Sequence, residues 1–279
     1  MSKLEGIPES MLIPLAAKAN EYYKSSPIIY DPYSLDIMRE VDYSFENFSK
    51  DWMSQLGICI RTEILDEMVL DFVTTSKNPF VINIGCGLDT RLSRLDLKKV
   101  PWIDIDLPES INARRRFFYE TDYYKMIGKS MFDYSWLKDI RSHPSFKEDS
   151  NILIIFEGVL MYFEELDIKN LLREITKTLQ HQNVKIAAEF CSKTMTNHSE
   201  KHPSVSKLSS KLEFKYGFNK ISELKNILPK HLNVVNEINY FERYPNRWRW
   251  FRLFKYIPYL NNRYNNKIVL LKNVQNFKE

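Results

Sequence analysis

The sequence predicts an α/β fold with a mostly parallel sheet covered by helices on both sides. Short apolar strands alternate with helical segments through the middle of the chain. One of those strands ends in Gly85-Cys86-Gly87, and the next ends in Asp104-Ile105-Asp106. Only seven glycines occur in 279 residues, so two in one tripeptide mark a place where a Cβ is sterically costly.

The elements follow in order. Met11–Lys24 reads as an amphipathic helix, broken at Tyr30-Asp31-Pro32-Tyr33, with a short helix over Ser34–Glu40. Trp52–Thr75 predicts a long helix whose apolar face runs Ile64, Leu65, Met68 and Phe72. Phe80–Ile84 is a strand, Leu88–Leu97 a short helix or turn, and Trp102–Asp106 a second strand. Pro108 opens the next helix, where a missing N–H costs nothing. A third strand is expected at Lys129–Phe132. Asn151–Phe156 is the strongest strand, an apolar run suited to burial on both faces. Helix Glu164–Leu179 and strand Val184–Phe190 follow. Ser192–Ser210 is polar and is expected to be a connection or lid. A helix at Ile221–Leu228 and strands at Leu232–Ile238 and Lys267–Leu271 complete the pattern. The expected organisation is one domain over 1–279, with N-terminal helices in 1–78, a binding core in 79–190, and substrate-covering elements with the last strands in 191–279.

Composition narrows the function classes. Apolar residues make up 44% of the chain, enough for a large core. No apolar run approaches the about 20 residues of a membrane span, and the first residues lack the apolar stretch of a secretory leader. Cys59, Cys86 and Cys191 are too few and too scattered for a disulfide framework or a zinc site. The five histidines show no metal-ligand spacing, so no metal is expected. These features predict a cytoplasmic, soluble, globular protein without stable membrane insertion. Residues 240–279 carry nine Lys or Arg against two Glu, a net of +7 within a chain of +4. Such a tail can meet an anion or a membrane surface, or simply face water. No nucleic-acid recognition module accompanies it.

The glycine turn carries the sharpest chemistry. A strand, a Gly-x-Gly turn and a helix expose bare backbone at the carboxyl end of a sheet, where open α/β folds bind ligands. Asp106 lies 21 residues after Gly85, at the tip of the second strand, where an acid can accept hydrogen bonds from ribose hydroxyls. Dinucleotide and S-adenosylmethionine binding both fit this pattern. Thr90 replaces the third glycine of Gly-x-Gly-x-x-Gly, which disfavours a pyrophosphate. Arg61 sits on the apolar face of its helix and must find an anion, either a ligand carboxylate or a nearby Asp or Glu. Glu157 ends the strongest strand, at the ligand edge. Cys86 has no partner base and reads as a small residue in the turn.

Gly85-Cys86-Gly87-Leu88-Asp89-Thr90-Arg91-x-x-Arg94, Ile103-Asp104-Ile105-Asp106-Leu107-Pro108 and Phe156-Glu157-Gly158-Val159-Leu160-Met161-Tyr162 resemble the leucine carboxyl methyltransferase family, including its bacterial tetracenomycin-type polyketide O-methyltransferases. Asp31-Pro32-Tyr33 and the helix carrying Arg61 fall in matching places. The resemblance covers roughly residues 15–190. It implies a class I, Rossmann-like methyltransferase fold with a mostly parallel seven-stranded sheet, an N-terminal helical extension and C-terminal lid elements. The implied cofactor is S-adenosyl-L-methionine. Carried over by position, Arg61 holds the methionine carboxylate, with Lys18 a second partner. Gly85 meets the methionine portion, Asp106 the ribose, Asp133 the adenine amino group, and Glu157 the methionine end. Tyr162 is a candidate for orienting the acceptor.

The implied reaction is methyl transfer to an oxygen of a small-molecule acceptor such as a polyketide-like metabolite. A carboxylate is favoured, because it is already ionised near neutral pH and needs no general base. A protein C-terminal carboxylate, or cofactor binding without turnover, are the alternatives. Residues 240–260 interleave aromatics with Arg243, Arg247, Arg249 and Arg252, which are expected either to bind an acidic acceptor or to face water.

Overall fold

The computed structural model describes residues 9–43, 45, 51–197 and 213–274. Seven strands form one sheet: β1 (Pro79–Ile84), β2 (Trp102–Asp106), β3 (Tyr124–Gly128), β4 (Asn151–Phe156), β5 (Asn183–Phe190), β6 (Leu232–Asn239) and β7 (Lys267–Asn273). Their order is β3-β2-β1-β4-β5-β7-β6. The first five are parallel, and β7 runs antiparallel to both β5 and β6. The chain reverses direction across the sheet between β1 and β4, so their carboxyl ends flank a crevice.

The apolar pattern divides the core. In β4, Leu153 and Ile155 join the cluster under the N-terminal helices. Ile152, Ile154 and Phe156 join the cluster on the opposite face. This is the two-residue alternation of a strand buried on both sides.

Among the described residues, three α-helices precede the sheet: α1 (Leu12–Tyr22), α2 (Pro32–Glu40) and α3 (Trp52–Thr75). The Asp31 side chain accepts from the Ser34 N–H at 2.9 Å and caps α2, with Pro32 in the first turn. Asp51 caps α3 in the same way through Ser54. An acceptor there satisfies an otherwise orphaned amide. The remaining helices are α4 (Arg91–Arg94), α5 (Pro108–Arg114), α6 (Trp136–Asp139), α7 (Glu165–Thr178), α8 (Lys193–Asn197), α9 (Ile221–Lys225) and α10 (Pro258–Tyr264), with a 3₁₀ segment over Arg249–Tyr256.

One expectation needs correction. The third strand is Tyr124–Gly128, not Lys129–Phe132. Residues 129–136 instead turn beneath the sheet. The Lys129 ammonium donates to Ser135 at 2.8 Å, and the Trp136 indole donates to the Met131 carbonyl at 2.9 Å. The short helix or turn expected over Leu88–Leu97 is a turn that includes one helical turn, Arg91–Arg94. Most of the expected lid, residues 198–210, lies outside the described residues.

Candidate active site

A cavity of about 800 Å³ opens at the carboxyl end of β1, β2, β4 and β5. It is lined by Gly85, Cys86, Gly87, Asp106, Glu157 and Glu189 from the strand ends, and by Lys18 and Arg61 from the N-terminal helices. Gly85 and Gly87 hold left-handed φ values of 68° and 46°. A Cβ on Gly85 would sit 2.9 Å from the Val159 Cγ2 atom, so both backbone and space demand glycine.

Asp106 closes the turn it faces. Its carboxylate accepts from the Gly87 N–H at 2.8 Å and from the Leu107 N–H at 2.7 Å. Burial pushes its pKa up, and the two amides act against that rise. The Ser110 hydroxyl is a third donor to it, so of the carboxylate's roughly four lone-pair sites one remains for a ligand hydroxyl.

Arg61 sits between two carboxylates. Its Nε donates to Glu157 at 3.1 Å, and its Nη1 donates to Glu189 at 3.1 Å. Burial alone would lower the Arg61 pKa, but Glu189 and Glu157 reverse this and raise it. Among the described residues no acceptor binds Nη2, which lies beside Gly158. A Cβ on Gly158 would come within 2.9 Å of that nitrogen. Lys18 is buried, donates to Asp89 at 3.2 Å and lies 3.8 Å from Asp31.

Behind the cavity wall lies a charge network that the sequence did not reveal. Arg91 is wholly buried and donates to Asp66 (2.7 Å), Asp89 (2.8 Å) and Glu157 (2.6 Å). Arg94 forks onto Asp66 and also reaches the Thr90 hydroxyl, which donates to Asp31. Glu189 additionally accepts from the Tyr240 hydroxyl (2.7 Å) and the Gly158 N–H (2.7 Å). These acids and bases come from distant stretches of chain, so no local spacing announces them.

This network predicts acid sensitivity. Burial by itself would raise the pKa of Asp31 and Glu157. Lys18 and Arg94 around the first, and Arg91 and Arg61 around the second, outweigh it and leave both lowered. A carboxylate whose folded pKa lies below its unfolded value of about 4 stabilises the fold above that value. The contribution disappears as pH falls through the folded pKa. Calorimetric Tm is therefore expected to hold between about pH 7 and pH 5 and to drop steeply below about pH 4. A flat Tm down to about pH 3 would contradict this.

The other expected residues divide. Tyr162 lines the cavity, and burial pushes its phenol up to about 12, which keeps it protonated. Asp133 is not brought to the cavity. It is exposed, and its carboxylate accepts from the Ser135 N–H at 3.1 Å in a local turn. It is therefore not carried into the functional reading below.

The far wall is apolar and aromatic, with Trp52, Phe214, Tyr240, Phe241, Trp248 and Phe251. The notion that arginines of this stretch anchor an acidic acceptor is corrected. None of Arg243, Arg247, Arg249 and Arg252 lines the cavity. Arg243 binds Glu67, Arg247 binds Glu21, Arg249 stacks over the Trp52 ring at 4.4 Å, and Arg252 is exposed.

The leucine carboxyl methyltransferase family model matches residues 12–176, more than half of the chain. The chain belongs to this family. Among its relatives, the tetracenomycin polyketide synthesis O-methyltransferase TcmP of Streptomyces glaucescens is 31% identical over 179 residues. That match covers 63% of this chain and 64% of the relative. The S-adenosyl-L-methionine-dependent methyltransferase dpfgK of Gibberella zeae is 27% identical over 195 residues, covering 65% and 64%. The chain thus spans just under two thirds of these relatives' lengths. A solved DUF574 family protein from Streptomyces avermitilis superposes with a TM-score of 0.60 at 9% identity, covering 94% of this chain and 97% of its own. A candidate methyltransferase from Thermobifida fusca superposes with a TM-score of 0.59 at 10% identity, covering 97% of both chains. These likenesses carry the fold, the class I methyltransferase arrangement, and nothing finer.

Among the described residues, no group of three or more His, Cys, Asp and Glu could hold a metal, and no helix is long and apolar enough to cross a membrane.

Proposed function

We propose that this leucine carboxyl methyltransferase family member is an S-adenosylmethionine-dependent O-methyltransferase acting on a small, largely apolar acceptor, with a carboxylate as the favoured acceptor group. The observation that carries the reading is the convergence of Gly85, Asp106, Arg61 and Lys18 on one cavity at the sheet's carboxyl edge. The residues fit an amino acid joined to a nucleoside. Gly85 makes a left-handed turn whose Cβ would strike Val159, Asp106 keeps a lone pair for a ribose hydroxyl, and the Nη2 of Arg61, which has no acceptor among the described residues, suits a carboxylate. Glu157 and Glu189 suit the cationic ammonium and sulfonium end. When bound, the cofactor supplies an electrophilic methyl group.

The chain's own part is placement and exclusion of water. The aromatic wall removes solvent from the acceptor oxygen and holds it for in-line approach. Among the described residues no histidine lines the cavity, and Glu157 and Glu189 are both held by Arg61 and further donors. An acceptor already ionised near neutral pH suits such a site better than a phenol with a pKa near 10. A panel of aromatic carboxylic acids and matched phenols, incubated with isotope-labelled cofactor and read by mass spectrometry, tests this. Labelled methyl esters are expected. Labelled ethers alone would overturn the carboxylate part, and no labelled product with any acceptor would argue against turnover.

A further inference from the structure

We propose that the 3₁₀ segment Arg249–Tyr256, with the following helix α10, is a docking surface for an anionic phospholipid membrane. This goes beyond the reaction and does not depend on it.

The argument starts from helix geometry. A 3₁₀ helix has three residues per turn, so positions three apart line up along one face. Arg249–Tyr256 reads Arg-Trp-Phe-Arg-Leu-Phe-Lys-Tyr, which sorts into three faces. Phe251 and Phe254 face inward. Their rings lie 5.4 Å apart, Phe254 meets Phe241, and Phe251 lines the cavity. Trp250, Leu253 and Tyr256 form a second face that is 59%, 55% and 71% exposed. Arg252 and Lys255 form the third, while Arg249, at a left-handed φ of 55°, lies over the Trp52 ring. The apolar stripe continues past the segment through Ile257 and Tyr259, which are 47% and 67% exposed.

Burying these side chains against water-free matter would be favourable, yet the described residues leave them uncovered. The charge beside them has one sign. Residues 243–274 contain eight Lys or Arg and not one Asp or Glu. Arg243, Arg247 and Lys267 are paired with Glu67, Glu21 and Glu237. Among the described residues, Arg252, Lys255 and Arg263 have no carboxylate partner. Arg252 meets Asn246, Lys255 lies over the Tyr256 ring, and Arg263 lies near Tyr259 and Tyr264.

A row of Trp, Leu and Tyr beside unpaired cations matches the layered chemistry of a membrane interface. Aromatic rings sit at the headgroup level, and cations meet lipid phosphates. The side chains form a ridge. A fluid bilayer accommodates a ridge, whereas a folded acidic partner must present a matching groove. The same segment carries Phe251, and α10 carries Tyr264, both on the cavity wall, so docking would bring the cavity close to the lipid surface.

The test is co-sedimentation of the full chain with vesicles of phosphatidylcholine alone, or of phosphatidylcholine with one third phosphatidylglycerol, at about 0.1 M salt. Binding to the anionic vesicles is expected to exceed binding to the neutral ones by at least about tenfold and to weaken at about 0.5 M salt. Two double variants separate the contributions: Arg252→Glu with Lys255→Glu, and Leu253→Ser with Tyr256→Ser. All four side chains are exposed or half-buried, so folding is expected to persist by circular dichroism. Each pair should lower anionic-vesicle binding by about tenfold or more. Equal binding to both vesicle types, unchanged binding in the folded variants, or binding to an acidic polypeptide but not to vesicles would overturn the proposal.

Discussion

Replacing Arg91 with alanine should lower the unfolding free energy by about 3–5 kcal/mol, a large share of a typical domain's stability. All three nitrogens of this buried guanidinium are engaged, with Asp66, Asp89 and Glu157. Truncation leaves three carboxylates crowded around a cavity. The remaining cations compensate only in part, because Arg94 serves Asp66, Lys18 serves Asp89 and Arg61 serves Glu157. Arg91→Lys should recover little, since one ammonium cannot reproduce a planar fork reaching three acids. Urea unfolding of both variants measures this. A loss below about 1 kcal/mol for Arg91→Ala would mean that the network contributes little net stability.

Arg61→Lys should weaken S-adenosylhomocysteine binding by about 10- to 100-fold, or about 1.5–3 kcal/mol, while leaving the formal charge intact. The guanidinium reaches Glu157 through Nε and Glu189 through Nη1 at once, leaving Nη2 for a ligand carboxylate. A lysine ammonium keeps the charge and loses this division of labour. Isothermal calorimetry on the folded variant reads the effect. Equal affinity would mean that Arg61 only holds the two glutamates apart.

Much of the architecture was legible because its signals are local. The apolar run of β4, the proline opening α5 and the two closely spaced glycines each act within a few residues. Lys18, Arg61, Gly85, Asp106, Glu157 and Tyr162 were named from the sequence, and all line one cavity. The third strand was misplaced because Tyr124–Gly128 is a polar-looking edge strand. Its buried tyrosine is satisfied by distant groups: Tyr124 donates to Asp104 at 2.6 Å and accepts from Arg114 at 2.9 Å. Asp133 was named only through the family resemblance, and in the structure its carboxylate accepts from Ser135 in a local turn.

The missed residues are those whose role depends on long-range pairing. Glu189 looked like an ordinary strand acid. Parallel pairing of β4 with β5 sets Phe156 opposite Ala188, so the next residues, Glu157 and Glu189, emerge side by side. Glu157 ends the apolar run of β4, but Glu189 sits between Ala188 and Phe190 inside β5, so only the register joins the two. Asp66 and Arg91 had no such cue, being joined only by the way α3 lies across the glycine turn. The arginines of residues 243–252 failed as acceptor anchors for a related reason. Their partners, buried Glu21 on α1 and exposed Glu67 on α3, lie 226 and 176 residues away in sequence.

The central claim is that the cavity binds an S-adenosyl nucleoside with its ribose at Asp106. Calorimetric titration of S-adenosylhomocysteine into the native chain and into folded Asp106→Ala tests it most directly. The account predicts saturable binding to the native chain and a loss of about 1–3 kcal/mol in the variant, because ribose hydroxyls lose their acceptor. No binding to the native chain, or unchanged affinity in Asp106→Ala, would contradict it.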